Sequence, residues 1–136
     1  MKKFLVIMIM YLLSNVNANS ANFKWSKIAT TEDGATTNYL DKGSVYISGS
    51  YNYYWQMANY NDENDDINSV VSFNMANCKN YEMRVIIFIS YSGKMSKGSI
   101  VDELVLPEAS MEHFVWNKFP DDSIQRSVVR EVCKIK

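Results

Sequence analysis

The chain has 136 residues, 47% of them hydrophobic and 13% aromatic, with 14 basic and 15 acidic residues for a formal net charge of −1. That length suits one domain with a core of its own and at most one extra segment. A slightly acidic chain without a basic cluster has no electrostatic footprint for nucleic acid or anionic lipid, which excludes those partner classes on charge.

The extra segment is at the front. Met1-Lys2-Lys3 is positive, Phe4 to Leu13 is an unbroken apolar run, and Val16 and Ala18 occupy the minus-three and minus-one places of a cleavage site. This reads as a secretory signal over residues 1–18, with a cut after Ala18 or, alternatively, after Ala21. A membrane anchor would need about 20 apolar residues, and the run is half that. Positions 14 to 24 hold no cysteine for an acyl anchor. The expectation is therefore an exported domain over residues 19–136, in the periplasm, on the cell surface or secreted, with no membrane span and no lipid anchor. Loss of Lys2 and Lys3 leaves 12 basic against 15 acidic residues.

Phe23 to Ile28 alternates and predicts a first strand with Phe23 and Trp25 inward, and Glu32-Asp33-Gly34-Ala35 is a turn into a second strand, Thr36 to Leu40. Val45 to Ser48 and Tyr51 to Tyr60 form a hairpin joined at Gly49-Ser50. On the second of these, Tyr53, Trp55 and Met57 are expected in the core. Tyr51, Tyr54 and Tyr60 are the candidate binding surface, set on the face opposite Trp55. Tyrosine offers large apolar area and a hydroxyl at low entropy cost, so a contact surface stands beside the plainer reading of aromatics as strand formers.

Asn61 to Asp66 is an acidic loop. Asp62, Asn64 and Asp66 open like a calcium loop, but Ile67 and Phe73 stand where glycine and a bidentate Glu are required, so a solvated loop is preferred to a weak cation site. Val70 to Cys78 is a strand, followed by a tight turn at Lys79-Asn80 and the longest strand, ending at Tyr91. Simple alternation puts Tyr81, Met83, Val85, Ile87, Ile89 and Tyr91 on one face and leaves Ile86 and Phe88 as an apolar patch on the other. Ser92 to Gly98 is a loop with two glycines, Ser99 to Leu106 a last strand or irregular edge, and Met111 to Phe119 a short strand or packing segment. Pro120-Asp121-Asp122-Ser123 starts a helix, with an Asp as N-cap and Gln125 as its capping-box partner. Ile124, Val128, Val129 and Val132 make its apolar stripe, expected to cover Ile86 and Phe88, while Gln125, Arg126 and Arg130 face solvent.

The fold class is α+β, a small antiparallel sheet of about six strands with one C-terminal helix packed on it. Export makes a disulfide between Cys78 and Cys133 the expected state, against two free thiols for metal or redox chemistry; neither has a CxxC partner or a neighbouring histidine. His113 is the single histidine and no G-x-S-x-G motif accompanies it, so it reads as a surface or packing residue. No catalytic residue, metal site or cofactor is expected. A binding module ranks first, an inhibitor or accessory protein of lysozyme-blocking type second, with Asn61 to Asn68 and Ser92 to Gly98 as its candidate loops, and an enzyme last.

The landmarks in order are Trp25, Asn38-Tyr39-Leu40-Asp41 with Ser44-Val45, Trp55-Gln56-Met57-Ala58-Asn59-Tyr60, Asn77-Cys78, Arg84, Tyr91-Ser92, Met95 with Gly98, Trp116 with Pro120 and Ser123, and Val132-Cys133. Together they resemble the surface-adhesin protein E family of Gram-negative bacteria across nearly the whole mature chain. The resemblance implies a sheet tied to a C-terminal helix by the disulfide, and an adhesin that binds host matrix or plasma proteins. The lipid-attachment cysteine of the family's anchored adhesin is missing from this sequence, which implies a soluble or released form.

Overall fold

The computed structural model describes residues 22–62, 66–106 and 116–136. The expected signal segment, His113 and the middle of the acidic loop lie outside these residues. Seven strands form one antiparallel sheet: β1 Ser26–Thr30, β2 Thr36–Leu40, β3 Tyr46–Ser48, β4 Tyr51–Tyr60, β5 Ser69–Asn77, β6 Glu82–Tyr91 and β7 Ile100–Val105. The order is β1-β2-β4-β5-β6-β7, with β3 pairing the start of β4 while β2 pairs its end. Except at β2 and β4, where β3 intervenes, neighbouring strands follow one another in sequence. Gly49, at φ +60°, makes the two-residue turn between β3 and β4. The first strand starts later than its alternation predicts. Phe23 and Trp25 precede β1 yet do turn inward, stacked at 4.7 Å, with Phe23 5.3 Å from Trp55.

Cross-strand partners share a face, and β6 changes face within its own length. Phe73 of β5 is opposite Ile87 while Asn74 is opposite Val85, so Ile86 is an extra residue in a bulge. The bulge reverses the alternation. Met83 and Val85 therefore lie on the same face as Phe88, and Ile87, Ile89 and Tyr91 on the other, which corrects the division read from the sequence. Ile86 itself is buried in the Trp55, Met57, Val71 and Ile89 core. That core is closed over by Phe23, Trp25, Met95 and Trp116.

The opposite face carries α1, Ile124–Cys133. Ten residues are too few for a stable helix in water, so packing has to hold it. Val128, Val129 and Val132 are fully buried against Leu40, Tyr54, Ala76 and Met83. The helix thus covers the β2-β4-β5 part of this face rather than Ile86 and Phe88, and Phe88 stays 39% exposed. Its N-cap is Ser123, whose hydroxyl accepts from the Arg126 amide at 3.2 Å, in place of the expected Asp. Serine takes the position because Pro120 and the two Asp residues are used in the preceding turn, where the Ser123 amide donates to Pro120. Gln125 turns into the sheet to accept from Gln56, and Arg126 lies over the Tyr81 ring at 4.9 Å and pairs with Asp121 at 3.2 Å. Neither faces solvent as Arg130 does. Cys78, at the end of β5, and Cys133, in the last turn of α1, form the disulfide, with their Cα atoms 5.5 Å apart. Asn52 adds a buried bond beside it, its amide donating to the Val132 carbonyl at 3.1 Å.

Candidate functional site

The three tyrosines chosen from the sequence do not form one surface. Tyr54 is fully buried beneath α1, where burial pushes its phenol well above the ordinary tyrosine range. Tyr51 occupies an odd position of β4 and so shares the Trp55 face, stacked on Trp116 at 5.5 Å, with the Arg84 guanidinium 4.4 Å from the other ring. Tyr60 is half-buried on the helix side, at the far end of β4 from α1. The face opposite Trp55 is the face the helix needs, and that need removes Tyr54 from contact with a partner.

The aromatic excess instead builds a row across the Trp55 face. Tyr46 and Tyr53 are 6.0 Å apart, Tyr53 and Phe73 6.0 Å, and Phe73 and Trp55 4.9 Å. Partial burial raises the Tyr53 phenol's pKa, with Arg84 pulling the other way. The row ends in the open at Tyr46, 57% exposed, beside the exposed Ile47 of β3.

More exposed aliphatic side chains lie on the strand at the other end of the order. On β7, Ile100, Val101 and Leu104 are 39%, 47% and 54% exposed; Leu104, opposite Phe88, is on the helix-side face, and Ile100, opposite Tyr91, is on the other, with Val101 the extra residue of a bulge. Alternation does not reveal this exposure, because exposed and buried aliphatic residues look the same in sequence. Asp102 and Glu103 interrupt it with charge, and Glu103, after burial, helps to raise the Tyr91 phenol's pKa.

Next to that edge the Ser92–Gly98 loop is locked. Ser69 accepts from the Ser96 amide at 2.9 Å and donates to the Gly93 carbonyl at 2.6 Å, Asn59 accepts from the Met95 amide at 2.7 Å, and Asn68 donates to the Ser92 carbonyl at 2.6 Å. These bonds hold Met95 and Ser96 at φ +58° and +56°, where non-glycine residues are uncommon. Gly93 is required for closeness: a Cβ there would meet the Lys97 carbonyl oxygen at 2.7 Å.

A concave region of about 270 Å³ remains on the helix side, between the start of α1 and β6. Gln56, Ser72 and Asn74 of the sheet line it, together with Asn117 and Gln125. Tyr60, Phe88 and Phe119 supply its aromatic surface. Among these described residues none carries a charge at neutral pH.

The sequence profile described as Surface-adhesin protein E matches residues 25–134. No curated protein matches the chain by sequence. Two crystal structures of Haemophilus influenzae protein E match the fold at TM-scores of 0.51 and 0.50, each 14% identical and covering 79% of this chain; the alignments cover 87% and 83% of those chains. At that identity they speak for the shared architecture. The span of the profile match, together with the disulfide-tied helix on an antiparallel sheet, places this chain in the surface-adhesin protein E family.

Proposed function

We propose that this protein is an exported, non-enzymatic binding protein of the bacterial envelope that engages a host matrix or plasma protein through the β7 edge of its sheet. The observation that carries the reading is the exposure of Ile100, Val101 and Leu104 on a strand that is the edge of the sheet among the described residues. Edge strands with exposed aliphatic side chains invite pairing with another chain, and natural proteins usually blunt them unless a partner covers them. The membership of a surface-adhesin family supports the same role. Among the described residues no helix is long and apolar enough to cross a membrane. The protein purified after export is tested, immobilised, against a panel of matrix glycoproteins and plasma proteins. Saturable binding to at least one of them is expected, weakened at least about tenfold by Val101→Lys with Leu104→Asp. No saturable binding to any, or binding unchanged in that variant, overturns it.

A second reading, the cleft-plugging inhibitor, is favoured by one observation, the locked Ser92–Gly98 loop, since a preordered loop loses little entropy on binding. Residual activity of a lysozyme panel at micromolar protein decides it: undiminished activity removes it.

A further inference from the structure

We infer that the concave region beside the start of α1 is a binding site for one uncharged sugar ring. Four side-chain amides, Gln56, Asn74, Asn117 and Gln125, surround it, and its remaining polar groups are the hydroxyls of Ser72 and Tyr60. Sugars offer hydroxyls that donate to amide carbonyls, and C–H faces that lie against aromatic rings, which Phe88, Phe119 and Tyr60 supply here. A lining without charge selects against acidic sugars and phosphates, which would lose their hydration without gaining a counter-charge. The volume of about 270 Å³ is just below the range for drug-sized ligands, roughly 300–1,000 Å³, and so suits a single ring.

The second observation is independent of this composition. Gln56 is 4% exposed and Asn74 fully buried, and the carbonyl oxygens of both side chains, Oε1 and Oδ1, have no hydrogen-bond donor among the described residues. The Gln56 amide nitrogen donates to Asn38 Oδ1 at 3.0 Å and to Gln125 Oε1 at 3.1 Å, and that of Asn74 donates to Ser72 Oγ at 2.9 Å. Two residues that line the region thus carry buried acceptors without partners, an arrangement that costs stability unless a donor reaches them. Gln125 is half-buried, and its side chain's hydrogen bond among the described residues is the one to Gln56.

The site does not rest on the protein-binding reading, because its variants leave Ile100, Val101 and Leu104 untouched. The experiment is an amide-detected NMR titration of the exported protein with the methyl glycosides of glucose, galactose, mannose and N-acetylglucosamine, and with glucuronic acid as the charged control. At least one neutral glycoside is expected to shift the side-chain amide signals of Gln56, Asn74 and Gln125 saturably, and glucuronic acid to bind at least about tenfold more weakly. Gln125→Ala and Phe88→Ala, at half-buried and exposed positions that the fold tolerates, are expected to weaken the neutral glycoside about tenfold while the backbone spectrum stays native. No saturable shift with any neutral glycoside, equal affinity for glucuronic acid, or shifts confined to other regions would overturn the site. A bound glycoside that carries over to an intact glycoprotein identifies a glycan as the source, and one that does not identifies a free sugar; either outcome supports the site.

Discussion

Tyr54 shows how much one side chain decides. A tyrosine on a strand near a sheet end reads as a contact residue, yet at this position it fills the space between Ala76, Met83 and the valines of α1. Its hydroxyl has no hydrogen-bond partner among the described residues. Removing an unsatisfied buried hydroxyl costs nothing and can gain stability. Tyr54→Phe is therefore expected to leave the Tm unchanged or raise it by a few degrees, as read by calorimetry. A loss above about 1 kcal/mol would show that the hydroxyl has a partner. The pH dependence follows with a definite sign. Because the folded pKa is raised, the unfolded phenol ionises first, so stability is full below the ordinary tyrosine value of about 10 and is lost as pH rises through the higher folded value. Tyr54→Phe should flatten that alkaline loss. Glu131 and Asp33 have the opposite sign, since hydrogen bonds from Lys134 and Thr31 respectively lower their pKa values. Asp33 is exposed and Glu131 only half-buried, so their contribution, lost as pH falls through the acidic range, is small.

At the scale of the element, α1 and β6 divide what was legible in the sequence from what was not. The existence of the helix followed from valines and isoleucine recurring at helical spacing, and its position after Pro120 followed from the turn residues. Its cap did not, because three consecutive polar residues all suit the N-cap and only the chain's path selects Ser123. Ser123→Ala should cost about 1 kcal/mol in urea denaturation, whereas the exposed Asp122→Ala should stay within about 0.5 kcal/mol. The reverse ranking would return the cap to aspartate. For β6, periodicity gave the strand and its length, but alternation carries no sign of an inserted residue. The bulge at Ile86 moved Met83 and Val85 to the helix side and left Phe88 open, so the covering surface of α1 was assigned to the wrong patch. Among the candidate tyrosines, parity alone puts Tyr51 on the Trp55 face, whereas the burial of Tyr54 was not legible, because strand parity places a side chain on a face and only tertiary packing says which part of that face is covered.

The whole molecule is a sheet with two unlike faces, one sealed by aromatics and the N-terminal residues, the other half-covered by a short helix. The Cys78–Cys133 bond closes a loop of 55 residues, which in the chain-entropy account stabilises the fold by about 4 kcal/mol. The double variant Cys78→Ser with Cys133→Ser should lose up to that amount in urea denaturation, and an unchanged midpoint would mean that the valine contacts and Asn52 hold α1 alone. With the helix secured, the β7 edge is presented on a rigid frame, and there the proposed partner is engaged. The most direct test is hydrogen exchange of the purified protein alone and together with whichever member of the matrix and plasma panel binds it. Slower exchange over Ile100–Val105 on binding is the expected result; unchanged exchange there, with protection confined to α1 or to the Ser92–Gly98 loop, would contradict it.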